Sequence, residues 1–275
     1  MPPALRMSQE QSQKAARLLW THWQAGTTLE ALPVELRPQN RSEGYAIQAQ
    51  LPAVGARTVV GWKIAATSAA GQAHIRVSGP LAGRLLSGQI DPNSDDGATL
   101  TLAGNRMRVA EPEFGFRFGT DLAPRAAPYT VQQVLAAVDT LHPAIEIPDS
   151  RYAVFTQVGD AQLIADNACA HRFILGAAAP VAWRGIDLRA HRVHGEVFDA
   201  KGRRVSRDGD GSVVLGDPRA ALTWLVNELS GLGITLTAGQ FVTTGTCMVP
   251  LEVQPGDKVR VDYGVLGRMA VNFSV

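Results

Sequence analysis

Cysteine is scarce: Cys169 and Cys247 are the only two in 275 residues, and they show no CxxC spacing. Two thiols cannot staple a chain of this size, so a disulfide scaffold is excluded and a reducing cytoplasm is the expected setting. An excess of one charge is also missing. Twenty-six Lys and Arg face twenty-five Asp and Glu, a formal net charge of +1, and no basic run offers the stripe that a nucleic-acid surface requires. No stretch reaches the roughly 18 uninterrupted apolar residues needed to span a bilayer. The start, MPPALRMSQEQSQK, lacks the apolar core of a secretory signal. The chain therefore reads as soluble, without nucleic-acid or membrane partners. Internal repeats and low-complexity segments are absent as well. What is present is 45% hydrophobic residues, enough for one large domain to bury a sizeable core.

From Ser8 to Ala25, Ala15, Leu18, Leu19 and Trp23 recur at helical spacing. Ser8 with Gln11 resembles a capping box, and Gly26 supplies a stop. Residues 27–42 are polar and aperiodic and read as a connection to a second short helix around Glu43 to Ala53. This predicts an N-terminal helical segment over residues 1–57. A β-rich catalytic domain is expected over residues 58–275, where TVVGWKIA, RMRVAEPEFGFRF, PAIEI, RVHGEVFD, KVRVDY and GRMAVNF carry strand signals. Two helices interrupt them: TVQQVLAAVDTL after Thr130, and a helix starting at Asp217-Pro218 and ending near Gly231 to Gly233. Strands and helices do not alternate regularly, so the expected class is mixed α/β and β-rich rather than a doubly wound parallel sheet.

The segment Glu111-Pro112-Glu113-Phe114-Gly115-Phe116-Arg117-Phe118 carries the most chemistry. As a strand of period two it puts Glu111, Glu113 and Arg117 on one face and the three phenylalanines on the other, in the core. Two carboxylates on one pleat repel unless a positive charge sits between them, and a hard divalent cation would supply it. A third acid, Glu146, projects from between Ile145 and Ile147. Three carboxylates without a nearby His or Cys pair favour Mg²⁺ or Mn²⁺ over Zn²⁺. Spacing alone equally allows an exposed strand edge blunted by Pro112, with Glu146 paired to an arginine. Lys63 follows Val59, Val60 and Trp62 in an apolar strand. Its ammonium is expected beside a partner or with a perturbed pKa, unless it snorkels from the strand end.

At these residues the chain resembles the hydratase and decarboxylase branch of the fumarylacetoacetate hydrolase superfamily, which includes 2-keto-4-pentenoate hydratase and 4-oxalocrotonate decarboxylase. The ordered landmarks are Tyr45-Ala46-Ile47-Gln48, Gly61-Trp62-Lys63-Ile64, Glu111-Pro112-Glu113, Pro143-Ala144-Ile145-Glu146-Ile147 with Asp149-Ser150-Arg151, Asp166-Asn167 and Gly256-Asp257. The resemblance implies the fold of that superfamily's C-terminal domain, preceded by N-terminal helices. It implies that Glu111, Glu113 and Glu146 hold Mg²⁺ or Mn²⁺ and that a small 2-oxo acid chelates the ion. Lys63 becomes an active-site group, a proton carrier or a contact to the substrate carboxylate. Gly245 and Thr246, in the loop Thr243-Thr244-Gly245-Thr246, are expected to approach that carboxylate.

Glu43, in the helix with Tyr45 and Gln48, stands close to where family members carry an acid. It is an acid/base candidate, although its helical position also suits a solvent-facing side chain. Asp149 and Arg151 read as an ion pair beside the site, and Asp166-Asn167 as support for the pocket wall. His142 is expected at the surface or at a cap. Family members also carry an acid before a proline after the lysine, where this chain has Val77-Ser78-Gly79-Pro80. The expected activity is hydration of a 2-hydroxy-2,4-dienoate in aromatic-compound catabolism. The alternatives are decarboxylation of a 2-oxo-3-enedioate or, in another class, a noncatalytic partner subunit. A homo-oligomer, and a complex with a neighbouring pathway enzyme, are further expectations.

Overall fold

The computed structural model describes residues 7–92 and 97–274, so residues 1–6 of the expected N-terminal segment lie outside the described residues. In chain order the elements are α1 Gln9–Ala25, α2 Arg41–Gln48, α3 Leu51–Val54, β1 Val59–Ala65, α4 Ala69–Ile75, β2 Leu81–Leu86, β3 Ile90–Pro92, β4 Ala98–Thr101 and β5 Val109–Phe118. There follow α5 Val131–Ala137, β6 Val138–Ile147, α6 Asp160–Ala165, β7 Arg172–Leu175, β8 Arg192–Phe198, β9 Arg204–Asp210 and α7 Pro218–Gly231. The chain closes with β10 Phe241–Thr243, β11 Leu251–Glu252, β12 Lys258–Asp262 and β13 Arg268–Ser274.

Local chemistry sets the helix ends. Ser8 caps α1 in a capping box with Gln11, and Gly26 closes it at φ 62, in the left-handed region that glycine enters without steric cost. The inner face of α1, Ala15, Ala16 and Leu19, packs with Leu32, Ile47, Leu51 and Tyr152 into a small core under the sheet edge. Asp217 caps α7, and Pro218 sits where its missing N–H costs nothing. The expected helix after Thr130 is shorter than its pattern. It stops at Ala137, and Val138 to Ile147 become β6. Thr140 and Leu141 pair with Arg117 and Phe116 of β5, and these ladder bonds outweigh weak helical preference at β-branched positions.

Two sheets share the main core. The larger has eight strands in the order β2-β1-β10-β5-β6-β7-β3, with β11 pairing with one end of β5. The smaller runs β4-β13-β12-β8-β9. In the larger sheet β1 is parallel to β10, whereas β10, β5, β6 and β7 are successively antiparallel. Phe114, Phe116 and Phe118 are fully buried in the core between the layers. The opposite face of the same strands therefore carries the polar residues. No helix among the described residues is long and apolar enough to cross a membrane.

Candidate active site

Register brings four charged side chains to one face. Thr243 of β10 lies opposite Lys63 on one side and Gly115 on the other. Glu113 and Glu111 are two and four residues from Gly115, and Glu111 is paired with Glu146 of β6. With a side-chain period of two, Lys63, Glu111, Glu113 and Glu146 must point the same way. They do: the three carboxylates each place an oxygen within 4.8 Å of the others. Lys63 Nζ lies 3.1 Å from Glu146 Oε2 and donates to the Ala168 carbonyl at 2.9 Å. Glu113 and Glu146 are buried, and Glu111 is partly buried at the wall of a cavity of about 490 Å³.

The electrostatics call for a cation. Burial, with added repulsion from Glu146, raises the Glu111 carboxyl to about 7. Burial, together with Glu146 and Glu111, pushes Glu113 well above the usual carboxylate range. Burial also raises Glu146, against the pull of Lys63. Burial works against the charge of Lys63, but Glu146, Glu111 and Glu113 outweigh it and hold the ammonium above its ordinary value. Three carboxylates against one ammonium leave a formal deficit of two charges, which a divalent ion would fill. Glu113 Oε1 and Glu146 Oε1 are buried and have no hydrogen-bond partner among the described residues. Buried acceptors left unpaired are rare in folded proteins and fit ligand atoms. Glu111, Glu113 and Glu146 thus suit a hard divalent ion.

The loop after β10 completes this end of the cavity. Gly245 at φ 89 donates its N–H to Glu113 Oε2 at 2.9 Å, and an added Cβ there would fall 2.3 Å from Thr67 Oγ1. Gly245 and Thr246 both line the cavity, with the Thr246 hydroxyl donating to the Met248 carbonyl. Tyr263 braces β5 and β6 from behind, accepting from Glu113 N–H and donating to the Ala144 carbonyl. Composition and periodicity carried no signal for Tyr263.

A strained turn holds Lys63. Asn167, Ala168 and Cys169 all take positive φ, at 56°, 51° and 61°. Each such residue costs about 1–2 kcal/mol when it is not glycine, and strain of this kind collects at functional sites. Asn167 anchors the turn by accepting from Arg84 N–H and donating to the Arg84 carbonyl. Ala168 and Cys169 line the cavity, and neither was among the residues expected at the site. Their residue types give no hint of a left-handed conformation. The expected Asp149–Arg151 ion pair is replaced. Arg151 pairs with buried Asp166, whereas Asp149 accepts from the Arg106 and Met107 backbone.

Glu43 lies elsewhere. It is buried, its Oε2 accepts from Gln39 N–H at 2.6 Å, and its own N–H donates to Asn40 Oδ1, which places an acid at the positive end of α2. It does not line the cavity. Nor does His142, which is buried between the Thr140 hydroxyl and the Gly176 carbonyl. The Ser78-Gly79 segment is also absent from the cavity wall.

No family model matches the chain. It is, however, 33% identical over 270 residues to the 2-keto-4-pentenoate hydratase of Paraburkholderia xenovorans, covering 97% of this chain and 96% of that one. The chain belongs to the 2-keto-4-pentenoate hydratase and 4-oxalocrotonate decarboxylase family. Within that family it is also 35% identical over 217 residues to the 4-oxalocrotonate decarboxylase of Pseudomonas sp. strain CF600, 78% of this chain and 77% of the relative. Among solved structures it resembles the 4-oxalocrotonate decarboxylase of Pseudomonas putida G7 complexed with magnesium and adipate. The TM-score is 0.84 at 26% identity, over 97% of this chain and 98% of that one. The mixed, β-rich fold of the wider fumarylacetoacetate hydrolase superfamily, with helices at the N-terminus, is therefore present.

Proposed function

We propose that the protein is a hydro-lyase that uses Mg²⁺ or Mn²⁺ to add water to a 2-hydroxy-2,4-dienoate, or to the tautomeric 2-oxo-alkenoate, in the catabolism of aromatic compounds. The observation that carries this reading is the buried cluster of Glu111, Glu113 and Glu146, with two orphaned oxygens, beside Lys63 at the end of an otherwise largely apolar cavity. The three glutamates would hold the ion, leaving positions open for the substrate's carboxylate and 2-oxo oxygens. When bound, such an ion supplies Lewis acidity to the 2-oxo group and makes the conjugated carbons receptive to water.

The protein's own groups do the rest. Lys63, anchored by Ala168 O and Glu146, holds a proton within reach of the cavity and suits delivery to carbon or pairing with the substrate carboxylate. The N–H of Gly245 is spent on Glu113, so that loop acts by fixing a glutamate and by close backbone approach. In the overall reaction the hydroxyl of water bonds to one carbon of the double bond and a proton to another, with no net redox change.

Decarboxylation of a 2-oxo-3-enedioate is the second reading, supported by the decarboxylase relatives. A second carboxylate would need a cation at the far end of the cavity. Apart from Lys63, which Glu146 already engages, no Lys or Arg lines it among the described residues. That observation favours hydration of a monoacid. An acid/base role for Glu43 is not carried forward, because its carboxylate serves the helix end. A cytoplasmic setting accords with two buried free thiols. A homo-oligomer, or contact with a neighbouring pathway enzyme, enters through the family alone.

The test is a substrate panel with Mg²⁺ or Mn²⁺ that follows loss of dienoate absorbance and release of CO₂ separately. Turnover of a monoacid without CO₂ is expected, and Glu111→Gln or Glu146→Gln should nearly abolish it. Release of CO₂ from a diacid would establish the decarboxylase. No turnover of any member despite tight metal binding would support the noncatalytic subunit.

A further inference from the structure

The cavity is larger than a five-carbon acid needs. At roughly 30 Å³ for each water-sized group, the eight heavy atoms of such an acid fill about 240 Å³. The cavity offers about 490 Å³, a size that elsewhere receives ligands well beyond five carbons. Most of the cavity's lining is apolar. Beyond Lys63, Glu111, Gly245 and Thr246, its wall includes Ile75 at the end of α4, Phe155, Val213, Met248, Val249 and Pro250. Apart from Lys63, Glu111 and the Cys169 thiol, which burial keeps protonated, the ionisable side chain in the lining is exposed His74. Its ring meets that of Phe155 edge-on at 6.0 Å, so the two together form an aromatic rim.

We propose that the site takes a monocarboxylic 2-oxo acid whose distal carbon carries a bulky apolar group, an alkyl chain or an aromatic ring, laid against the wall to which Ile75 of α4 and Phe155 both contribute. This rests on the 2-oxo acid reading above and adds the substrate's far end to it. Burying a distal carboxylate in this wall would leave a charge without a fixed partner, whereas a hydrocarbon tail meets matching surface. Each buried methylene strengthens binding about fourfold, so four of them amount to about two orders of magnitude. Phe155 and Ile75 are the specificity-determining side chains.

The experiment uses the magnesium-loaded protein and needs no turnover. Calorimetry measures Kd for saturated 2-oxo acids of increasing chain length, for a phenyl-terminated acid, and for diacids of matched length. Affinity should rise about fourfold per methylene over the first several carbons, and a terminal carboxylate should weaken binding by about a hundredfold. Phe155→Ala should flatten the chain-length slope, and Ile75→Arg should reverse the preference toward diacids. Affinity independent of chain length, or diacids bound as tightly as monoacids by the unaltered protein, overturns the proposal. The tail dependence can hold while every dienoate fails to turn over, which would sink the hydratase reading alone. Turnover of a dienoate with no tail preference would sink this inference alone.

Discussion

Replacing Glu113 by Gln should have opposite effects on the metal-free and metal-loaded protein. In the metal-free state Glu113 lies within 4.8 Å of both Glu111 and Glu146. At that separation and an effective dielectric constant of about 20, a fully ionised pair repels by about 3 kcal/mol, which Lys63 and the upward shift of Glu113 itself reduce. Glutamine keeps the shape and can still accept from Gly245 N–H. The metal-free variant should therefore be as stable as the parent or more so, by about 1–2 kcal/mol. Metal binding moves the other way. Removing one partner from a buried charged cluster costs about 3–5 kcal/mol, which weakens Kd by about 10²–10⁴-fold. At a Mg²⁺ concentration about 100 times the parent's Kd, the ion stabilises the parent by about 2.7 kcal/mol and the variant by about 0.4 kcal/mol or less. For a chain of this size that is a melting shift of about 5–10 °C against about 1 °C. Thermal melts at about pH 8, above the value near 7 for Glu111, with and without Mg²⁺ provide the comparison. A variant that melts far below the parent without metal, or gains the same shift with it, would refute the reasoning.

Lys63→Met should lower kcat by about 10²–10⁴-fold while leaving Mg²⁺ affinity unchanged or tighter, because it removes a positive charge from the cluster. Proportional loss of metal binding would make Lys63 a structural brace instead. Gly245→Ala should destabilise the protein by about 2 kcal/mol or more in urea titration, since φ is 89° and the new Cβ would meet Thr67 Oγ1 at 2.3 Å. A loss under about 0.5 kcal/mol would show that the loop yields freely. Burial, helped by Arg151, lowers His171 to about 4. Unfolded chains take up this proton near 6.5, so stability from this group is complete above about pH 6.5 and is lost as pH falls toward 4, by about 2–3 kcal/mol. The difference in stability between parent and His171→Gln should follow that window, and a pH-independent difference would contradict it.

Much of the site lay open in the chain because period-two logic needs no partner strand. Glu111 and Glu113 share a face whatever β5 pairs with, and Glu146 between two isoleucines points away from the core. The α1 and α7 ends were equally legible, since Ser8, Gly26, Asp217 and Pro218 act through their immediate neighbours. What was not legible depends on distant contacts. The switch from α5 to β6 at Val138 reflects pairing with β5, which outweighs a local helical pattern. Arg151 reaches Asp166 rather than Asp149 because the 166–169 turn carries that carboxylate beneath it. Ala168 and Cys169 take left-handed backbone angles that their side chains do not announce, and Asn167's grip on Arg84 helps hold them there.

Anomalous diffraction from crystals grown with Mn²⁺ tests the central claim most directly. One strong peak is expected in contact with oxygens of Glu111, Glu113 and Glu146, at a position that Lys63 borders without ligating. Manganese bound elsewhere, or none at saturating concentration with the three carboxylates still clustered, would contradict it.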